Sequence, residues 1–148
     1  MRWYNVCNKY FRMQKEAQTM IEGIRFGNVT VDCPDEEALC GFYEKLLGWK
    51  RQDCWGHPAL SSPDGAHFFL FIQEKGADML PYVPPVWPEQ PGKQQKQMHF
   101  DFQVPDVPAA VACAEKLGAV KAPAQFGGDA FTTMFDPAGH PFCLCAIG

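Results

Sequence analysis

The chain is written twice. Asn28-Val-Thr-Val-Asp32 followed by Asp35 returns as His99-Phe-Asp-Phe-Gln103 followed by Asp106, and both 28/99 and 35/106 lie 71 positions apart. After each Asp a stretch of helical period runs to Glu-Lys-Leu and a glycine: Glu44-Lys45-Leu46-Leu47-Gly48, then Glu115-Lys116-Leu117-Gly118. Further on, Ser62-Pro63-Asp64-Gly65 ahead of Phe68-Phe69-Leu70-Phe71 matches Asp136-Pro137-Ala138-Gly139 ahead of Phe142-Cys143-Leu144-Cys145, now 74 positions apart. Several matched features in one order mark a duplicated unit, and the repeat constrains the fold before any other signal does.

Each unit reads as strand, helix and three strands. The first strands, over 24–32 and 98–104, alternate with period two. Val29 and Val31 lie on one face and Asn28, Thr30 and Asp32 on the other; Phe100, Phe102 and Val104 oppose His99, Asp101 and Gln103 in the same way. Asp35 and Asp106 suit helix N-caps, where a carboxylate accepts from free first-turn N–H groups. Leu39, Phe42, Tyr43 and Leu46 form one apolar stripe; Val107, Ala110, Val111, Ala114 and Leu117 form the other, with Pro108 tolerated in a first turn. Gly48 and Gly118 end these helices. Shorter strands are expected over 49–54, 58–62 and 67–73, then 119–124, 130–135 and 141–146, with the PDG and PAG sequences as turns. This predicts an α+β domain of module 21–75, linker 76–97 and module 98–148, behind an N-terminal appendage over 1–20. The linker holds Pro81, Pro84, Pro85, Pro88 and Pro91.

Composition narrows the function classes. A chain of 148 residues with net charge −4 and no Lys/Arg cluster offers no footprint for nucleic acid. Its apolar runs are too short for a spanning helix, which excludes membrane insertion as an expectation. Seven cysteines, an odd number without CxxC spacing, point to free thiols and a cytoplasmic location.

The order βαβββ twice, with Asp32-Cys33-Pro34-Asp35, Phe42-Tyr43, Leu47-Gly48-Trp49, His99-Phe100-Asp101, Asp136-Pro137 and Gly139-His140-Pro141-Phe142, resembles the glyoxalase/bleomycin-resistance/extradiol-dioxygenase (vicinal oxygen chelate) superfamily, in its glyoxalase-like branch. The resemblance covers roughly residues 22–147 and implies a curved-sheet cup and a homodimer. It also implies four metal positions, on the first and last strands of each module. Those positions fall on Asn28, Phe69, His99 and Cys143, of which only His99 is a ligand of the usual kind. No metal or other cofactor is therefore expected; a divalent ion, if held, would use His99, Asp101 and Cys143.

The ligand-binding residues expected on the cup are Asn28, Thr30, Asp32, Trp55, Phe69, Phe71, His99, Asp101, Gln103, Phe131, Cys143 and Cys145, with Phe126 as a further wall and Trp87 as a lid. Aromatic walls with a few polar groups suit a small apolar or aromatic molecule. His99 and Asp101, on one strand face, are the candidate acid–base pair. Cys143 as a nucleophile is the weaker reading against two small apolar wall thiols. The alternatives are a lyase or dioxygenase with a rebuilt metal site, and an interaction module whose cup is filled.

Overall fold

The computed structural model describes residues 21–73 and 80–148; the appendage expected over 1–20 lies outside them. Module one consists of β1 (Val29–Asp32), α1 (Glu36–Leu47), β2 (Lys50–Cys54), β3 (His57–Ser61) and β4 (Phe68–Ile72). Module two repeats the order as β5 (Phe100–Val104), α2 (Val107–Lys116), β6 (Val120–Lys121), β7 (Phe131–Phe135) and β8 (Pro141–Ala146). Each module is a four-stranded sheet, ordered β1-β4-β3-β2 and β5-β8-β7-β6. Only β1/β4 and β5/β8 run parallel, because the helix carries the chain across the sheet between β1 and the hairpins.

Both helices start as the carboxylates dictate. Asp35 Oδ1 accepts from the Ala38 N–H and Asp106 Oδ1 from the Ala109 N–H, each at 2.9 Å. Glu36 and Glu37 then favour the positive end of α1 and Lys45 its negative end. Gly48 closes α1 at φ 64° in the left-handed region, with its N–H on the Glu44 carbonyl. The second helix stops differently: Leu117 is a right-handed cap and Gly118 follows at φ 109°.

The apolar stripe of α1 buries Leu39, Cys40, Phe42 and Tyr43 against the sheets. Tyr43 is the hub of this core. Its ring stacks on Phe71 at 5.8 Å and meets Phe100 and Phe142 of module two edge-on at 6.1 and 6.3 Å. Phe69 stacks on Phe100 with centroids 4.6 Å apart, so one aromatic core spans both modules. Burial of each such ring contributes about 1.5–3 kcal/mol.

Two strand expectations need correction. The β1 ladder begins only at Val29; in its register residues 24–27 lie before the first residue of β4, Phe68. The strand expected over 119–124 is two residues long. Pro123 has no N–H for the ladder, and the Gln125 side chain takes over: its Oε1 accepts from Thr133 N–H while Nε2 donates to the Thr133 and Ala122 carbonyls.

The register also corrects the repeat. Val29 pairs with Phe69, and its equivalent Phe100 pairs with Phe142, so Phe69 corresponds to Phe142 and not to Cys143. The cause is one extra residue, Ala66. The turn of module one closes from Ser62 N–H to the His67 carbonyl, that of module two from Asp136 N–H to the His140 carbonyl. A slip of one residue exchanges the two faces of a strand. Phe69 and Phe71 therefore point with Val29 and Val31 into the helix-covered core, at 7% and 0% exposure, and do not line the cup. Leu70 occupies the position equivalent to Cys143.

Candidate functional site

The open face of module two carries the site. Asp101, Cys143 and Thr133 are ladder neighbours across β5, β8 and β7, and Gln103, Cys145 and Phe131 form the next row. Ladder neighbours point to one side of a sheet, here the side opposite α2. The linker returns over this face. The Val86 N–H bonds to the Gln94 carbonyl, and a single bridge pairs Val86 with Gln95. That bridge places Trp87 beside Lys96, whose Nζ lies 3.7 Å from the ring centroid. Phe126 meets Trp87 edge-on at 5.7 Å. The result is a cavity of about 410 Å³ between sheet and linker, lined by Trp87, Lys96, His99, Phe126, Phe131 and Cys143 with Asp101, Thr133 and Cys145. Trp87, expected as a lid, is one of the residues lining this cavity.

Of the expected site residues, His99, Asp101, Phe131, Cys143 and Cys145 come together here. Thr30 and Asp32 line a smaller concavity of about 270 Å³ against Tyr82 and His140, of which His99 is also a wall. Where one cup was expected, two adjoining concavities stand, one against each half, sharing Lys96 and His99 as walls. Asn28 and Gln103 line neither space; Asn28 Nδ2 donates to Thr30 Oγ1 at 2.9 Å. Trp55 is 86% exposed at the tip of the β2–β3 hairpin, where it adopts φ 56° before Gly56, and it takes no part in the cup.

His99 Nε2 stands 3.4 Å from Asp101 Oδ1, as a strand face with both residues permits. Burial raises the Cys143 thiol pKa and Asp101 raises it further; the Thr133 hydroxyl at 3.5 Å and the Lys96 charge only oppose this. Such a group is a neutral thiol near neutral pH, which argues against the nucleophile reading.

Ligand atoms of His99, Asp101 and Cys143 all lie within 4.8 Å of one another, one N, one O and one S donor. The four family positions are a different matter. Module one supplies Asn28, engaged with Thr30, and Leu70, which has no donor atom, so the residues present do not fit the family's quartet.

Sequence reasoning assigned no role to His140, yet it anchors a buried chain of polar groups. Tyr43 Oη donates to Asp136 Oδ2 at 2.8 Å, His140 Nδ1 stands 3.0 Å from the same oxygen, and Tyr82 Oη is 2.9 Å from His140 Nε2. The Ala138 and His140 N–H groups complete the carboxylate's partners. Burial alone lowers the His140 pKa, but the hydrogen bond and charge of Asp136 outweigh it and the net shift is upward. The signal was the Asp136…His140 spacing around a turn, which resembles an ordinary loop until Tyr43 and Tyr82 arrive from elsewhere.

Two βαβββ modules with their sheets open on the side away from the helices define the vicinal oxygen chelate fold. A family model described as "Glyoxalase-like domain" matches residues 28–145, and the chain belongs to that family. No curated protein matches the chain. Among solved structures, a glyoxalase/bleomycin resistance protein/dioxygenase family enzyme from Burkholderia phytofirmans is similar with TM-score 0.57 at 16% identity, over 82% of this chain and 97% of that one. The fosfomycin resistance protein FosX from Listeria monocytogenes gives TM-score 0.57 at 14% identity, over 87% and 94%. A glyoxalase/bleomycin resistance protein from Albidiferax ferrireducens gives 0.55 at 19%, over 83% and 98%. At these identities the likeness establishes the fold alone. No helix among the described residues is long and apolar enough to cross a membrane.

Proposed function

We propose that the chain binds a small, largely apolar or aromatic molecule between the open sheet of module two and the linker, without the family's metal quartet. The observation that carries this reading is the cavity of about 410 Å³ walled by Trp87, Phe126 and Phe131, with Lys96, His99, Asp101 and Thr133 as its few polar side chains beside the two thiols. Rings supply apolar area and the polar groups supply orientation, the division of labour common to small-molecule sites. The test is fluorescence titration of a naphthalene-based probe in excess chelator. Saturable binding that weakens in Phe131→Ala supports the reading; a protein that takes up no probe overturns it in favour of an interaction module.

A second reading rests on the clustered donors of His99, Asp101 and Cys143. A nitrogen, a carboxylate and a thiol that gives up its proton on binding suit a borderline-soft divalent ion, and a three-donor site leaves room for an exchangeable ligand. Native mass spectrometry after offering Zn²⁺, Ni²⁺, Mn²⁺ and anaerobic Fe²⁺ tests it. A stoichiometric adduct abolished in His99→Ala establishes the metal reading and directs the search to lyase or dioxygenase chemistry. Within the proposal, the protein works as a homodimer, the commonest closed oligomer, in a reducing cytoplasm that keeps its thiols free.

A further inference from the structure

The one ammonium on the cavity wall has no ion-pair partner among the described residues. Three of its lining residues can carry charge: Lys96, His99 and Asp101. His99 and Asp101 stand together at 3.4 Å, so the carboxylate already has a partner. Lys96 has none: among the described residues no carboxylate lies within 4.0 Å of its ammonium, which sits over the Trp87 ring and near enough to Cys143 for its charge to act on that thiol. The neighbouring indole N–H of Trp87 is buried and also lacks an acceptor among the described residues. The linker therefore brings an ammonium to the roof, while the rings of Phe126 and Phe131 form apolar wall beside it. An ammonium with no carboxylate beside it favours a negative group, and a ligand that covers the site and displaces its water strengthens that attraction.

We propose that the ligand is an organic anion with an aromatic body, its carboxylate-like head on Lys96 and its ring against Phe126 and Phe131. This rests on the binding reading above and adds to it the class of molecule. A cationic ligand of the same shape meets the Lys96 charge and finds Asp101 engaged with His99. A neutral one satisfies the rings but leaves Lys96 uncompensated.

Three probes of one shape separate these cases: naphthoate, naphthamide and naphthylmethylammonium, each titrated calorimetrically into the full chain in excess chelator. The wild type is expected to hold naphthoate about tenfold tighter than naphthamide, and the ammonium probe weakest. Lys96→Met should bring naphthoate down to about the amide's affinity, and Lys96→Arg should restore the preference. Equal or tighter binding of the amide or the ammonium probe overturns the anion assignment while leaving the binding cup intact. So does a naphthoate preference that survives in Lys96→Met. Failure of all three probes to bind the wild type overturns the cup itself.

Discussion

Tyr43 and Asp136 stand 93 positions apart in the chain and meet through a 2.8 Å hydrogen bond with both side chains out of water. The bond fastens the first helix to the turn ahead of the last strand, and so one module to the other. A buried carboxylate is tolerable only because every partner is present: a phenol, two backbone N–H groups and an imidazole. Tyr43→Phe removes one of them and is expected to cost about 1–3 kcal/mol. Asp136→Ala leaves His140 and Tyr43 facing an empty place and should cost about 3–5 kcal/mol. Urea denaturation of both variants measures this; an unshifted midpoint in Tyr43→Phe would show that the bond contributes nothing.

The same cluster makes stability depend on pH. The folded-state pKa of His140 lies above its ordinary 6.5, against the effect of burial and because of Asp136. A group raised on folding contributes its full stabilisation below the unfolded value and loses it as pH rises through the folded one. Stability should therefore decline from about pH 6.5 upward, and His140→Gln should remove that part of the slope. Denaturation midpoints collected between about pH 5 and 8 decide the matter; identical slopes in the two proteins would contradict it.

Phe69 is expected to behave as a core residue. Phe69→Ala opens space beneath Tyr43, Trp49 and Phe100 and should cost about 3–5 kcal/mol. Thr30→Ala, on the exposed face of the neighbouring strand, should stay within about 0.5 kcal/mol. If Phe69→Ala instead left stability unchanged and weakened probe binding, the face assignment would be wrong.

Thiol labelling should sort the cysteines by environment. Burial pushes Cys33 up to about 12 and Cys40 up to about 11, so neither supplies thiolate at about pH 8. Cys113 is exposed on the second helix. Iodoacetamide followed by peptide mass mapping should find Cys113 modified in the native protein, with Cys33 and Cys40 modified only after unfolding. Early labelling of Cys33 would mean that its strand end opens readily.

Most of the architecture was legible because its local signals agreed: an Asp before each helix, a glycine after it, and alternation in the first strands. What stayed hidden has physical reasons. Phe68–Ile72 is apolar at every position, so period-two contrast is silent there and its two faces cannot be told apart. The missing contrast put Phe69 and Phe71 on the wrong side. Gln125 is a side chain standing in for backbone, which no propensity anticipates. The grouping of His99, Asp101 and Cys143 was readable, since strand spacing and the repeat both aimed at it. The roof made by Trp87 and Lys96 depends on a linker crossing whose geometry is set by distant contacts, such as Pro84 against Gly139, where a Cβ would come within 2.7 Å.

Ala66 carries a consequence for how the two halves can change. The extra residue lengthens the turn and leaves the register beyond it alike: Phe69 and Phe142 both face the core, while Leu70 and Cys143 share the opposite face. A donor carried from one half to the other by counting from the shared turn would land at Phe69 among the packed rings; carried by strand register, it would land at Leu70. Two halves that differ by one turn residue exchange chemistry through their ladders and not through their numbering.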